Sequence, residues 1–320
     1  MRSPKLRSSF EGGAGELVPA GGSLLSILDK VLLTGYTTTI GDARSSLGWS
    51  SPYATELNIG AYLAGAGTGL MYQFNDDNVL QDYRTSQIKG FESMSSVTEG
   101  FGQWGDIPFG KTYSSDVAEE LRYNPKWWII GDSQGFYMMI TDHHLVNSID
   151  PVRGRPVIIH YVGDFDSFVV GDTDNAVIVS HNSTERLDGT AANCFCKLST
   201  SPAGTVVGGR YYKSTAGSFS GGVGFLTPEG NRALGSDAVP INSASAPVGI
   251  PVPQMTPVML SGPSLGSARG KMPGLFRVYP SMVGQSGDTF TVNAETFMLF
   301  NVAITSTTWE QYAVKLNEWL

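Results

Sequence analysis

Cysteine is almost absent from this chain of 320 residues: Cys194 and Cys196 are the only two. Separated by one residue, they have a poor geometry for a mutual disulfide, so a disulfide framework is excluded. The reading is of free, buried thiols in a chain that matures in a reducing cytoplasm or does not rely on disulfides. Charge is scarce too, at 16%, with a net charge of −8 and a pI near 5.0. That balance lacks the electrostatic footprint of a nucleic-acid binder or a polybasic membrane protein. Only the start is locally basic, with Arg2, Lys5 and Arg7. No apolar run is long enough to span a bilayer, and no apolar stretch follows the opening basic residues as a secretion signal requires. Neither a membrane span nor a signal peptide is expected.

What the chain has is glycine, 39 residues of it, and aromatics at 11%. This is the composition of a loop-rich β protein. The expected fold is mainly β, with sandwich or barrel-like sheets, one N-terminal helix and long Gly/Ser/Pro-rich loops. The organising stretch is residues 127–172, where three apolar, β-branched and aromatic runs, 127–130, 136–140 and 156–162, are bounded by Gly, Asp, Ser, Asn or Pro. Such runs read as strands divided by tight turns. The turn Gly131-Asp132-Ser133-Gln134-Gly135 makes the first two a hairpin. Both faces of these runs are apolar, so a second sheet, a helix or another subunit must cover each side.

Along the chain, residues 1–22 read as a flexible arm, basic and then Gly-rich, that orders on a neighbour through Leu6, Phe10, Leu17 and Val18. A core domain over residues 23–198 opens with a helix at 23–33. Its N-cap is Ser23, its C-terminal glycine is Gly35, and Leu24, Ile27, Leu28 and Val31 form its apolar face. Residues 58–63, 70–74 and 88–94 read as strands, the last two as a hairpin, and residues 97–123 as a long loop. Residues 168–170 and 176–179 continue the sheet. Residues 199–270 read as an extended Gly/Ser/Pro-rich excursion. Strands at 275–279, 289–292 and 296–305 complete the core within residues 271–320, with a short helix from Trp309 onward.

No catalytic, cofactor-binding or metal site is assigned. Gly65-Ala66-Gly67-Thr68-Gly69 lacks the Gly-Lys-Ser/Thr and the helix of a phosphate loop. Gly262-Pro263-Ser264-Leu265-Gly266 matches a hydrolase nucleophile pattern without the helix that should follow it. His143 and His144 beside Asp142 face opposite ways in a strand and have no third ligand nearby. Asp164, Asp166, Asp172 and Asp174 could hold Ca²⁺ or act as an acid and base pair. The competing reading is that Gly-Asp marks strand ends, with Asp accepting turn hydrogen bonds, as at Asp132 and Asp288. The Asn182-Ser183-Thr184 sequon carries no meaning without a secretion signal. Interaction candidates are Arg2, Lys5, Leu6, Arg7, Phe10, Leu17, Val18, Trp127 and Trp128.

A resemblance adds what chemistry does not. The succession Gly22-Ser23-Leu24-Leu25-Ser26-Ile27-Leu28-Asp29-Lys30-Val31-Leu32-Leu33-Thr34-Gly35-Tyr36, then Gly48-Trp49 with Pro52-Tyr53, then Gly90-Phe91-Glu92-Ser93-Met94, then residues 127–137 and Gly163-Asp164-Phe165, resembles a family of uncharacterised structural proteins of tailed bacteriophages and prophages. Arg269-Gly270-Lys271-Met272-Pro273-Gly274-Leu275 resembles that family's Arg-Gly-x-x-Pro-Gly-Leu signature. The chain departs from the family at Trp104-Gly105-Asp106-Ile107, which replaces a simpler Gly-Pro-rich turn. The resemblance implies a virion component, tail-associated at the baseplate, tail tip or fibre attachment. Its partners are then other virion proteins. Other copies of itself are expected as well, in a trimer, because the two-sided apolar runs 127–130 and 156–162 offer more apolar strand than one open sheet can hide. A capsid decoration protein and a virion-associated hydrolase or depolymerase are the alternatives.

Overall fold

The computed structural model describes residues 1–18, 20–80, 85–110, 125–141, 157–168, 170–172, 175–181, 192–196, 207–210, 225–226, 254–261, 268–279, 284–303 and 309–319. His143, His144, Asp142, Asp174, the 262–266 motif and the 182–184 sequon lie outside these residues. The protein is mainly β, with a large mixed sheet and one short helix near the N-terminus.

The three runs of the organising stretch are strands Trp127–Gly131, Gly135–Thr141 and Val157–Asp164, paired antiparallel in succession. Every residue of the three is buried. Alternation sends Trp128, Ile130, Tyr137, Met139, Ile159 and Tyr161 into one core, with Leu275, Met298, Phe300, Tyr312, Val314 and Trp319. It sends Trp127, Ile129, Phe136, Met138, Ile158 and Val162 into another, with Leu24, Leu28, Tyr62, Tyr72, Phe74 and Phe109. The chain therefore covers both faces of these strands by itself. The apolar argument for a trimer loses its motive, and Trp127 and Trp128, at 0% and 6% exposure, are core residues and not surface contacts.

The first core is enclosed by a closed circuit of strands. Val157–Asp164 meets Glu295–Ala303 in a single parallel pair, Val157 with Val302. Glu295–Ala303 pairs with Trp309–Lys315, which pairs with Ala268–Tyr279. Ala268–Tyr279 pairs with Asp166–Ser167, the continuation of Val157–Asp164 beyond Phe165. The second core is roofed by a four-stranded sheet, in the order Ile59–Leu63, Met71–Leu80, Thr85–Phe91, Trp104–Gly110.

Several expectations are corrected. The Trp104–Gly110 strand replaces a loop; as an edge strand it tolerates Gly105 and Pro108, the residues that hide its pattern. Trp309–Lys315 is a strand because it lies between two partners, which overrides its helical composition. Gln254–Ser261, assigned to the excursion, pairs with Ala268–Tyr279 in the main sheet. Phe168 and Val170 do not continue the sheet: both are exposed beyond Ser167.

The helix Ser23–Leu28 begins where expected but is capped differently. Its N-cap is Gly22, and the Ser23 hydroxyl donates to the Val18 carbonyl at 2.8 Å. The capping carboxylate comes from a strand far along the chain: Asp76 accepts the Leu24 N–H at 2.9 Å and the Ser86 hydroxyl at 2.7 Å. After Leu28 the turns widen, ending with the Gly35 N–H on the Lys30 carbonyl at 2.7 Å. Leu24, Leu25, Ile27, Leu28, Val31 and Leu32 are all buried, a broader apolar surface than the spacing predicts.

The N-terminal residues are not a free arm. Lys5–Ser8 is an edge strand paired antiparallel with Trp127–Gly131, and Ala14 and Leu17 are 1% and 0% exposed. Gly-rich composition suggests flexibility, but here the glycines let the backbone pack closely on residues 36–39.

Candidate functional site

The hairpin turn Gly131–Gly135 gathers hydrogen bonds from several distant segments of the chain. Asp132 closes its own turn by accepting the N–H groups of Gln134 at 2.8 Å and Gly135 at 3.1 Å, the role that the Gly-Asp reading assigns to it. Every backbone carbonyl from Asp132 to Gln134 then receives a distant element. Asp132 accepts the Trp49 indole N–H at 2.8 Å, Ser133 accepts the Ala66 N–H at 3.2 Å, and Gln134 accepts the Asp164 N–H at 3.0 Å.

Arg2 locks onto this turn. Its guanidinium donates to both Asp132 carboxylate oxygens, at 2.7 and 2.9 Å, and to the Asp164 carbonyl at 3.0 Å. It also lies 5.1 Å from the centre of the Trp319 ring, while the backbones of Arg2 and Trp319 exchange two hydrogen bonds. Burial opposes the Arg2 charge, but the Asp132 carboxylate, bonded to it twice, favours that charge, and the Arg2 pKa stays above the ordinary value.

Two further carboxylates complete the junction. Asp164, pushed up by burial and pulled back by its bonds to Thr68, accepts the Thr68 N–H and hydroxyl, both at 2.8 Å. The Gly65–Gly69 segment approaches so closely that a Cβ on Gly67, whose φ is +99°, would fall 1.9 Å from Asp164 Oδ2. Asp166 lies 3.9 Å from Arg2, and its Oδ2 is buried without a hydrogen-bond partner. Burial pushes its pKa up to about 6, against the opposing pull of Arg2 and Lys271. Asp172 is apart from this group and accepts the Ser167 hydroxyl at 2.6 Å. Among the described residues no group of acidic, His or Cys side chains could hold a metal ion. A shallow cleft of about 350 Å³ opens beside the turn, lined by Met1, Arg2, Ser3, Lys5, Leu47 and residues 132–134.

The interaction candidates of the N-terminal segment divide by fate. Arg2 is consumed by the junction, Lys5 donates to the Ser46 carbonyl at 2.6 Å, and Arg7 to the Ser45 carbonyl at 2.6 Å. Leu6 packs partly buried on the first core, Leu17 lies in the second, and the Val18 carbonyl accepts from Ser23. Phe10 alone keeps most of its surface, 63% exposed. Sequence reasoning missed Trp319 and Thr68 as partners of this site. The Arg-Gly-x-x-Pro-Gly-Leu segment holds the one signal for Trp319: Gly274, at φ +61°, would place a Cβ 2.3 Å from the indole nitrogen.

No protein-family model matches the chain, and no curated protein matches it. Among the described residues no helix is long and apolar enough to cross a membrane.

Proposed function

We propose that the protein is a structural component of a tailed-bacteriophage virion, associated with the tail at the baseplate, tail tip or fibre attachment, and that it acts through assembly and not through catalysis. The observation that carries this reading is where the residues of the resemblance fall. Gly22 and Gly35 bound the helical segment, residues 131–135 form the junction turn, Asp164 anchors the 65–69 segment, and Gly274 seats Trp319. The likeness therefore follows the framework within residues 22–165 and again at 269–275. The chemistry at the junction supports the same reading. Three of its buried ionisable groups are engaged in holding segments together: Arg2 on Asp132, Asp164 on Thr68, and the Tyr161 hydroxyl on the Asp164 carbonyl at 2.5 Å. Burial raises the Tyr161 pKa and keeps that phenol a neutral donor.

The test is quantitative mass spectrometry on tailed particles purified by density gradient from a strain carrying the gene. The expected result is this chain at a small, fixed copy number per particle; a large copy number, as for a capsid decoration protein, would overturn the tail position. Finding it only in the soluble lysate, with intact particles lacking it, would overturn the proposal.

A further inference from the structure

Two exposed aromatic patches of opposite electrostatic character stand on opposite sides of the molecule. The first is built on Phe10. Its ring is 63% exposed yet held in place, 5.4 Å from the Trp128 ring on one side and 5.9 Å from the Lys126 ammonium. The Thr39 N–H bonds the Glu11 carbonyl at 3.1 Å, which brings Ile40, 83% exposed, beside the Phe10 turn. No carboxylate among the described residues pairs with Lys126.

The second patch is built on Phe101, 70% exposed at the end of the small hairpin formed by Ser93–Met94 and Gly100–Phe101. Its carbonyl accepts the Glu92 N–H at 3.0 Å, and Glu99 is exposed two residues before it. No cation among the described residues pairs with Glu99.

The layering separates the two patches. Met94 and Val97, at the base of the Phe101 hairpin, pack with Ala61 and Met71 in a cluster distinct from the core beneath the four-stranded sheet. Trp128, under Phe10, belongs to the core on the other side of the central strands. The four-stranded sheet and the central strands both lie between them.

We propose that copies of this chain associate head to tail, the Phe10–Ile40–Lys126 patch of one copy docking on the Phe101–Glu99 patch of the next. An aromatic ring fixed by its neighbours loses little side-chain freedom on docking, and the opposite charges set the direction of the contact. Because the two patches differ, the contact is heterologous, and repetition gives a ring or a filament, the geometry of a repeated virion component. The inference rests on the assembly reading for its biological setting, but it is measured on the isolated chain. It can therefore fail while the virion assignment stands, and the reverse.

The experiment is sedimentation velocity on the full chain over a range of micromolar concentrations at low and high salt. Concentration-dependent association that weakens with salt is expected. Lys126→Glu or Glu99→Lys alone should weaken it about tenfold or more, and the two swaps combined in one chain should restore it. A mixture of Phe10→Ser and Phe101→Ser chains, each keeping one intact patch, should stop at dimers. All four positions are exposed, and an unchanged circular dichroism spectrum checks that each variant folds. A chain that stays monomeric throughout, single swaps that associate as tightly as wild type, or a mixture that grows beyond dimers would each overturn the proposal.

Discussion

Arg2 and Asp132, each with a side chain only 9% exposed, make a two-bond ion pair whose members lie 130 residues apart in the sequence. Removing one member strands the other, so Arg2→Ala should destabilise the fold by about 3 kcal/mol, measured by urea unfolding. Asp166 behaves in the opposite way. Its pKa is raised from an ordinary 3.8 to about 6, so the folded protein binds its proton more tightly than the unfolded chain does. The stability linked to that proton is fully present below about pH 3.8 and is lost as the pH rises through about 6. Asp166→Asn should therefore stabilise the protein at neutral pH, on the order of 2 kcal/mol. That advantage should shrink steadily as the pH falls from 6 to 4; an advantage independent of pH would assign the effect to something other than the carboxylate.

The elements differ in how plainly the sequence announces them. The hairpin Trp127–Gly131 and Gly135–Thr141 is written in uninterrupted apolar runs around a glycine-bounded turn, and it forms as expected. The pairing of Met71–Leu80 with Thr85–Phe91 is legible in part: Phe74 lies opposite Ile88 as the runs 70–74 and 88–94 suggest. The strands nevertheless extend through polar residues 75–78 and 85–87 that carry no apolar run, and the second ends at Phe91. Trp104–Gly110 and Trp309–Lys315 are not legible, because their strand character comes from the neighbours that receive them and not from their own alternation. The helix cap is hidden for a related reason: Asp76 lies 52 residues from the N–H it accepts. Asp76→Ala should cost about 2 kcal/mol by leaving the Leu24 N–H and the Ser86 hydroxyl unpaired. Asp76→Asn keeps an oxygen there and should cost less than half as much in thermal unfolding. The N-terminal strand gives the sharpest contrast with expectation. Deleting residues 1–8 removes the Lys5–Ser8 pairing together with the Arg2 contacts, so the melting temperature should fall by several degrees. An unchanged melting temperature would return these residues to the status of a passive tail.

At the scale of the molecule, the central strands are shared by two cores, and the first core is completed only by strands near the end of the chain. Residues 1–198 expressed alone lack Met298, Phe300, Tyr312 and Trp319, which leaves Trp128, Tyr137 and Tyr161 with one face uncovered. That fragment should bind a hydrophobic dye and lack the near-ultraviolet dichroism of the whole protein; a native-like spectrum would show that the second core suffices. The composition announced a β protein and the apolar runs announced a doubly covered sheet, but the junction was illegible because Arg2, Asp132, Asp164 and Trp319 meet only after the strands have paired. Their meeting also has a mechanical consequence. A force pulling residues 2 and 319 apart loads their two-bond bridge and the Arg2 contacts to Asp132 and Asp164, and beyond them meets the edge strand one hydrogen bond at a time, as in unzipping. A force applied along the Trp127–Gly131 and Gly135–Thr141 pair meets five paired positions at once, in shear. The same protein should yield readily when drawn apart at that pole and resist strongly when pulled along its central strands, so the direction of tension decides which part gives way.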